Sequence, residues 1–213
     1  MRRKIKLFTS IISLGLSFAL MTFGVFAATS HTLSVSSTIS FSVGNNIFCT
    51  VNGKVFVQTD APTYSSTGAV NTLTDSSAGM ADEELSTAEW SALTSEQGKM
   101  TVDKKAIYWI FEVHNNASVG SNSFVIGVGQ TGSTDESFTE LELDAELSDN
   151  YSLDIKYGTQ NNSAPATDMT NGYTTKVEPQ TSMYVLVKVT PKSFTSSISS
   201  KPFNFTLVLK YAE

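Results

Sequence analysis

An alternation of apolar and small polar residues is the first clear pattern in the chain, and it begins at residue 33. One parity is apolar and the other carries serine and threonine: Leu33, Val35, Ile39, Phe41 and Val43 against Ser34, Ser36, Thr38, Ser40 and Ser42. Because successive side chains of a β-strand point to opposite faces, this pattern predicts a strand with one buried and one solvated face. We expect this strand either to complete its own sheet or to insert into a neighbouring copy and build a fibre.

A longer apolar run precedes this strand. Residues 1–6 carry four basic side chains, residues 7–26 are apolar apart from small polar residues and glycine, and the run ends in Val25-Phe26-Ala27. This pattern predicts a signal peptide over residues 1–27, cleaved after Ala27. A transmembrane anchor is the alternative, since about 20 apolar residues span a bilayer. The polar residues within the run favour the signal, and hence a protein that is secreted or held at the cell surface.

Further alternating stretches predict strands over residues 107–114, 124–128, 183–190 and 203–211. The third of these is apolar on both faces over its first half, which is typical of a central strand. Earlier in the chain, Asn52-Gly53 separates two apolar runs and predicts a two-residue hairpin turn between them. The stretch that follows, residues 59–80, is rich in Ser, Thr and Gly and predicts a loop or an irregular crossover.

A second hairpin is predicted over residues 140–157. Pairing residues 140–147 with residues 151–157 across the loop Ser148-Asp149-Asn150 places the apolar side chains on one face and the acids on the other. These acids are candidate Ca²⁺ ligands: Glu142, Asp144, Glu146 and Asp154. The favoured alternative is a solvated outer face that resists aggregation.

One helix is predicted over about residues 82–97, because Ser86 and Glu89 form a capping box and Leu85 and Trp90 a hydrophobic staple. It is expected to cover one end of a sheet, with a binding role for Trp90 as the alternative. About eight or nine strands without repeated helix–strand alternation predict an all-β chain. The expected fold is an antiparallel β-sandwich of jelly-roll or immunoglobulin-like type with this one inserted helix, and residues 28–213 form a single domain rather than two small ones.

The net charge limits the kinds of partner that we expect, and the cysteine content limits the possible disulfides. The 213 residues include 14 basic and 20 acidic side chains, and removal of the signal leaves ten basic residues and a formal charge of −10. Such a polyanion does not favour nucleic acid or anionic lipid, so we expect neither as a partner after signal cleavage. Cys49 is the only cysteine, which excludes an internal disulfide framework. We expect it to be a small buried hydrophobe, with a reactive thiol as the alternative.

Sequence motifs for catalysis are lacking. The chain has two histidines, and neither lies in an HExxH, a GxSxG or a spaced Cys/His pattern. Glu112 and His114 share one face of a predicted strand, where we expect them to face solvent; a metal-binding pair is the alternative. We therefore expect no catalytic residue, and no cofactor apart from the Ca²⁺ considered above.

Three segments carry a resemblance to known proteins: Gly24-Val25-Phe26-Ala27, residues 33–41 and the terminal Phe203-Asn204-Phe205-Thr206-Leu207-Val208-Leu209. Together they resemble secreted β-sandwich proteins of Gram-positive-type bacteria. More distantly, the chain is similar to the TasA/camelysin group, which includes biofilm matrix fibre subunits and a proposed metallopeptidase. The resemblance covers the general layout of the chain and implies a non-enzymatic surface role. It transfers no metal ligand to a residue of this chain.

Three functions are compatible with these patterns. The favoured one is a structural or adhesive extracellular subunit that assembles through its N-terminal strand, with itself or other cell-surface components as partners. The second is a module that binds surface glycans through loop aromatics such as Tyr64, Tyr157 and Tyr173. The third and least favoured is a secreted hydrolase.

Overall fold

The computed structural model describes residues 33–44, 47–64, 69–76, 89–93, 98–160, 163–194 and 198–212. Within these ranges lie the strands β1 (Leu33–Val43), β2 (Cys49–Gln58), β3 (Ala69–Ser76), β4 (Glu89–Leu93), β5 (Lys99–Met100), β6 (Ala106–Asn115), β7 (Phe124–Gly129), β8 (Tyr151–Gly158), β9 (Thr167–Asp168), β10 (Ser182–Pro191), β11 (Ile198–Pro202) and β12 (Phe205–Tyr211). A short helix, α1 (Ala145–Asn150), precedes β8. No helix in these ranges has the length and apolar character needed to cross a bilayer. The predicted signal peptide lies outside the described residues.

The strands form two six-stranded sheets, which confirms the all-β prediction. In sheet 1, β1 pairs with β4 and β5 along one edge and with β11 and β12 along the other, and β7 follows β12. Sheet 2 has the order β3-β2-β6-β10-β8-β9, with every neighbouring pair antiparallel. The prediction of wholly antiparallel pairing is wrong for sheet 1, because β1 runs parallel to β11 and β12.

One hydrophobic cluster takes alternate residues from both sheets, chiefly from β1, β7 and β12 and from β2, β6, β8 and β10. At its centre Trp109 of β6 contacts Phe203 and Phe205, with ring centroids 5.3 and 5.8 Å away. The indole Nε1 of Trp109 donates a hydrogen bond to Ser37 Oγ of β1 at 3.1 Å, and both residues are buried. This bond therefore links the two sheets inside the core.

Strands predicted from alternation are confirmed at β1, β6, β7, β10 and β12. The pairing of β10 with both β6 and β8 also confirms that it is a central strand. The polar face of β1 is less solvated than predicted, since Ser40 and Ser42 are 8% and 6% exposed. Residues 130–139 approach this side of sheet 1, where Gly132 N donates to Thr206 Oγ1 of β12 at 3.3 Å.

The hairpin predicted at Asn52-Gly53 is wrong. Residues 49–58 form one strand, β2, which pairs with β6 along its whole length. A turn at these two residues would place Val51 opposite Lys54 and mix apolar with polar side chains on one face. The single strand instead keeps all the apolar residues of one parity in the core: Cys49, Val51, Val55 and Val57.

Two predictions for residues 59–97 are also corrected. Ala69–Ser76, predicted as loop, is the strand β3 and pairs with β2. Glu89–Leu93, predicted as helix, is the strand β4 and pairs with β1. A free strand edge offers a row of main-chain hydrogen bonds, and this tertiary pairing outweighs the local capping signal. The remainder of the predicted helix, residues 82–88 and 94–97, lies outside the described residues.

The second predicted hairpin, over residues 140–157, is wrong in its first half. Residues 145–150 form α1, because the Asp144 side chain caps this helix and accepts a hydrogen bond from Leu147 N at 2.7 Å. The second half is a strand as predicted, β8, but its partners are β10 and β9 rather than residues 140–147.

Replacing Ser37 by alanine should lower the free energy of unfolding by about 1–3 kcal/mol, because the buried Trp109 N–H loses its acceptor. Urea unfolding followed by tryptophan fluorescence measures this change. Ser36→Ala is the matched control, since Ser36 lies on the opposite face of β1 and is only partly buried. Equal destabilisation by the two substitutions would contradict a structural role for the Ser37–Trp109 bond.

Candidate functional site: the N-terminal strand and its groove

β1 lies in a groove formed by two segments that are distant from it in sequence. Residues 89–100 supply β4 and β5 along one edge, and residues 198–211 supply β11 and β12 along the other. None of these partners is joined to β1 by a hairpin turn. The N-terminal strand is therefore held by pairing and packing rather than by a local connection.

The groove also supplies hydrogen-bond partners to the main chain of β1 between the end of β11 and the start of β12. Phe203 N donates to Ser36 O at 2.7 Å, and Thr38 N donates to the side-chain Oδ1 of Asn204 at 2.8 Å. These two bonds maintain the contact between β1 and the C-terminal segment across the interruption.

The residues predicted to drive assembly line the core side of this groove. Four of them are at most 1% exposed and the fifth is half-buried against the same cluster: Leu33, Val35, Ile39, Phe41 and Val43. The structure thus brings the predicted set together within the sheet of its own chain. Exchange of this strand between copies stays a prediction.

Two of the acids considered as Ca²⁺ ligands lie at the start of α1. Glu142 and Asp144 line one pocket together with Phe203 and Asn204. The Asp144 carboxylate is engaged as the cap of this helix. These acids therefore belong to a capped helix start rather than to a strand face.

The other two acids are paired with lysines at different places. Glu146 of α1 forms an ion pair with Lys201, and the Asp154 carboxylate on β8 lies 3.4 Å from Lys156 Nζ. Among the described residues, no group of three His, Cys, Asp or Glu side chains is placed to hold a metal ion. In the described residues, the four acids therefore do not share the strand face on which the Ca²⁺ prediction was based.

Glu112 and His114 lie on the outer face of sheet 2, where β10 adds two partners that the sequence did not single out. Glu112 Oε1 accepts hydrogen bonds from Ser182 Oγ at 3.1 Å and from Tyr184 Oη at 3.0 Å. His114 Nδ1 lies 3.0 Å from Ser182 Oγ. Ser182 and Tyr184 face these residues only because β6 and β10 pair in this register, a tertiary relation that no local pattern encodes.

This polar cluster has the wrong order of hydrogen bonds for an activated serine. In a nucleophilic triad the serine donates to histidine and the carboxylate binds the other histidine nitrogen. Here the Glu112 carboxylate binds Ser182 rather than a nitrogen of His114, and His114 Nδ1 contacts the same hydroxyl. Burial and the hydrogen bond to Glu112 raise the pKa of Tyr184 to about 12, which keeps its phenol protonated as a donor. The arrangement is suited to joining β6 to β10.

The aromatics considered for glycan binding are in three separate places. Tyr64 packs against Tyr184, with ring centroids 5.6 Å apart, and Tyr173 stacks on Phe138 at 4.3 Å. Tyr157 is 8% exposed within the main hydrophobic cluster. These rings pack against neighbouring side chains at separate places and do not form a shared exposed surface.

Comparison with known proteins gives no further information about this site. Neither protein-family models nor curated protein sequences match this chain.

Cys49, the single cysteine, is fully buried at the start of β2. Burial raises the pKa of its thiol from 9.0 to about 12. The expectation of a small buried hydrophobe is confirmed, since the thiolate required for reactivity is strongly disfavoured.

Stability should therefore fall as the pH rises from about 9 towards 12, because the unfolded thiol ionises in this window while the folded thiol remains protonated. This contribution amounts to about 1.4 kcal/mol per pH unit above pH 9. Urea unfolding at pH 8 and pH 10 measures it by comparison with Cys49→Ala, which lacks the titrating group. Parallel pH profiles for the two proteins would show that Cys49 does not contribute.

Proposed function

We propose that the protein is a secreted structural subunit of an extracellular matrix or cell surface, and that it assembles by exchanging β1 between copies. The observation that carries the proposal is the position of β1, which is N-terminal among the described strands and yet lies in the middle of sheet 1. In this proposal the two sheets form a sandwich that β1 completes, either from its own chain or from a neighbour.

The non-local pairing of β1 supports this exchange. In the described part of the chain, its main-chain partners lie in residues 89–93, 98–100 and 198–209, so the same strand from a second copy makes the same hydrogen bonds in the same register. Its apolar side chains enter the same core. The exchanged state therefore differs from the closed monomer mainly in the connection between β1 and β2.

That connection is short. Five residues, 44–48, separate the end of β1 in sheet 1 from the start of β2 in sheet 2. Gly44 N is held by Leu209 O at 2.8 Å, and Ile47 N by Gly44 O at 3.3 Å. Short hinge loops favour domain swapping, and a head-to-tail exchange that does not close produces filaments. The predicted signal peptide would deliver the chain to the compartment where such filaments act.

A disulfide across β1 and β12 tests the exchange directly. Ser42 and Val208 are register partners, and neighbouring strands lie about 4.8 Å apart, within the range of about 4.4–6.8 Å for disulfide-linked Cα atoms. In a chain from residue 28 carrying Cys49→Ala, Ser42→Cys and Val208→Cys, we expect oxidation of concentrated protein to give a ladder of covalent multimers. Non-reducing gels and negative-stain microscopy provide the readout.

The control carries Ser42→Cys and Cys49→Ala without the second cysteine, and it should give dimers at most. Reduction should collapse the ladder of the double-cysteine protein into one band. If the double-cysteine protein forms only a disulfide within each monomer and no filaments at any concentration, β1 serves its own sheet and the proposal is wrong.

Complementation by a peptide tests whether the groove accepts a strand from outside. A chain that begins at residue 44 should fail to refold alone, because the core and both edges of the groove are uncovered. A synthetic peptide of residues 28–43 should restore the folded state, as monitored by circular dichroism. The same peptide with Ile39→Asp and Phe41→Asp is the matched control and should not restore folding.

A further inference from the structure

A pocket of about 370 Å³ opens at the end of the molecule where β2 and β7 begin and β6 and β12 end. This volume falls at the lower end of the range of about 300–1,000 Å³ that small-molecule sites occupy. Its lining combines aromatic rings with amides and hydroxyls, chiefly Phe48, Asn116, Ser118, Ser121, Asn122 and Tyr211. The pocket therefore offers both an apolar surface and directed polar groups.

All of the residues that line the pocket are uncharged. This is notable in a chain with 20 acidic and 14 basic residues, and it leaves no side chain to select an anion or a cation. Amide and hydroxyl groups both donate and accept hydrogen bonds, which matches the neighbouring hydroxyl groups of a sugar. Aromatic rings such as Phe48, which is 37% exposed, suit the apolar face of a sugar ring.

The polar wall of the pocket is held in place by hydrogen bonds from its own residues and from Gln180. Asn115 is fully buried, and its side chain donates to Val177 O at 3.0 Å and accepts from Ala117 N at 3.0 Å. Gln180 Nε2 donates to Ala117 O at 2.8 Å, and Asn116 Nδ2 donates to Thr50 Oγ1 at 2.7 Å. A turn fixed in this way binds a ligand without a large ordering cost.

Other polar side chains of the pocket lining form no hydrogen bonds that stabilise the fold. In the described part of the chain, the side chains of Ser118, Ser121 and Asn122 have no hydrogen-bond partner. By contrast, the side chains of Asn115 and Asn116, which also line the pocket, form hydrogen bonds that hold the turn.

We propose that this pocket binds a neutral saccharide unit of one or two sugar rings, stacked on Phe48 and hydrogen-bonded by Asn122 and the two serines. The unit is either a free sugar or a terminal residue of a larger neutral glycan. The pocket contains no residue of β1, but Ile47 and Phe48 belong to the connection between β1 and β2, so the test uses the closed monomer.

The test uses the chain from residue 28 as a monomer, titrated with glucose, galactose, N-acetylglucosamine and their β1,4-linked disaccharides at up to about 10 mM, ten times a millimolar Kd. We expect NMR amide shifts confined to residues 47–48, 115–124 and the neighbourhood of Tyr211 for at least one sugar. A parallel assay on immobilised neutral polysaccharides separates the two sources, because binding there without binding of free sugars assigns the site to an extended glycan.

Phe48→Ala and Asn122→Ala should each weaken binding about tenfold or more, which corresponds to about 1.4 kcal/mol. Val102→Ala is the matched control, because Val102 is an exposed apolar residue outside the pocket, 52% accessible, and its binding should equal that of the parent. If the Phe48→Ala protein does not fold, the Asn122→Ala protein still tests the proposal. The proposal is overturned if neither assay detects binding, or if both pocket variants bind as well as the parent.

Discussion

The insertion of β1 between residues 89–100 and 198–211 is the contact on which the rest of the structure depends. Its apolar parity supplies a large part of the core of sheet 1, and Ser37 on the same face accepts the hydrogen bond of Trp109 from sheet 2. The net stability of a domain is only about 5–15 kcal/mol. A strand that completes both a sheet and the inter-sheet core therefore determines whether the domain folds at all.

The same constraint connects folding with assembly. Because the partners of β1 are distant in sequence and its connection to β2 spans five residues, the closed form and the exchanged form that we propose would share almost all of their contacts. Protein concentration then shifts the balance between them. The uncharged pocket lies next to this connection, since Ile47 and Phe48 belong to both, so one end of the molecule combines the hinge of exchange with the proposed saccharide site.

Individual elements show where sequence reasoning succeeded. β1, β6 and β10 were predictable because burial on one or both faces imposes a period of two on apolar residues. Asn52-Gly53 misled because the dipeptide fits a tight turn, although the unbroken parity from Cys49 to Val57 already favoured one strand. Residues 140–147 misled for a different reason: Asp144 caps a helix locally, while β8 finds its partner in β10.

The candidate site likewise has features that the sequence predicts and features that only the tertiary structure reveals. By itself, the sequence determined that residues 33–43 form a strand, that the apolar side chains of this strand face the core and that Cys49 is a buried hydrophobe, because side-chain periodicity and hydrophobicity report burial directly. Only the tertiary structure decided that β1 runs parallel to the C-terminal strand, that Ser37 meets Trp109 and that Ser182 meets Glu112. These relations join residues far apart in the chain, and pairing between distant strands depends on the whole folded arrangement rather than on any local pattern.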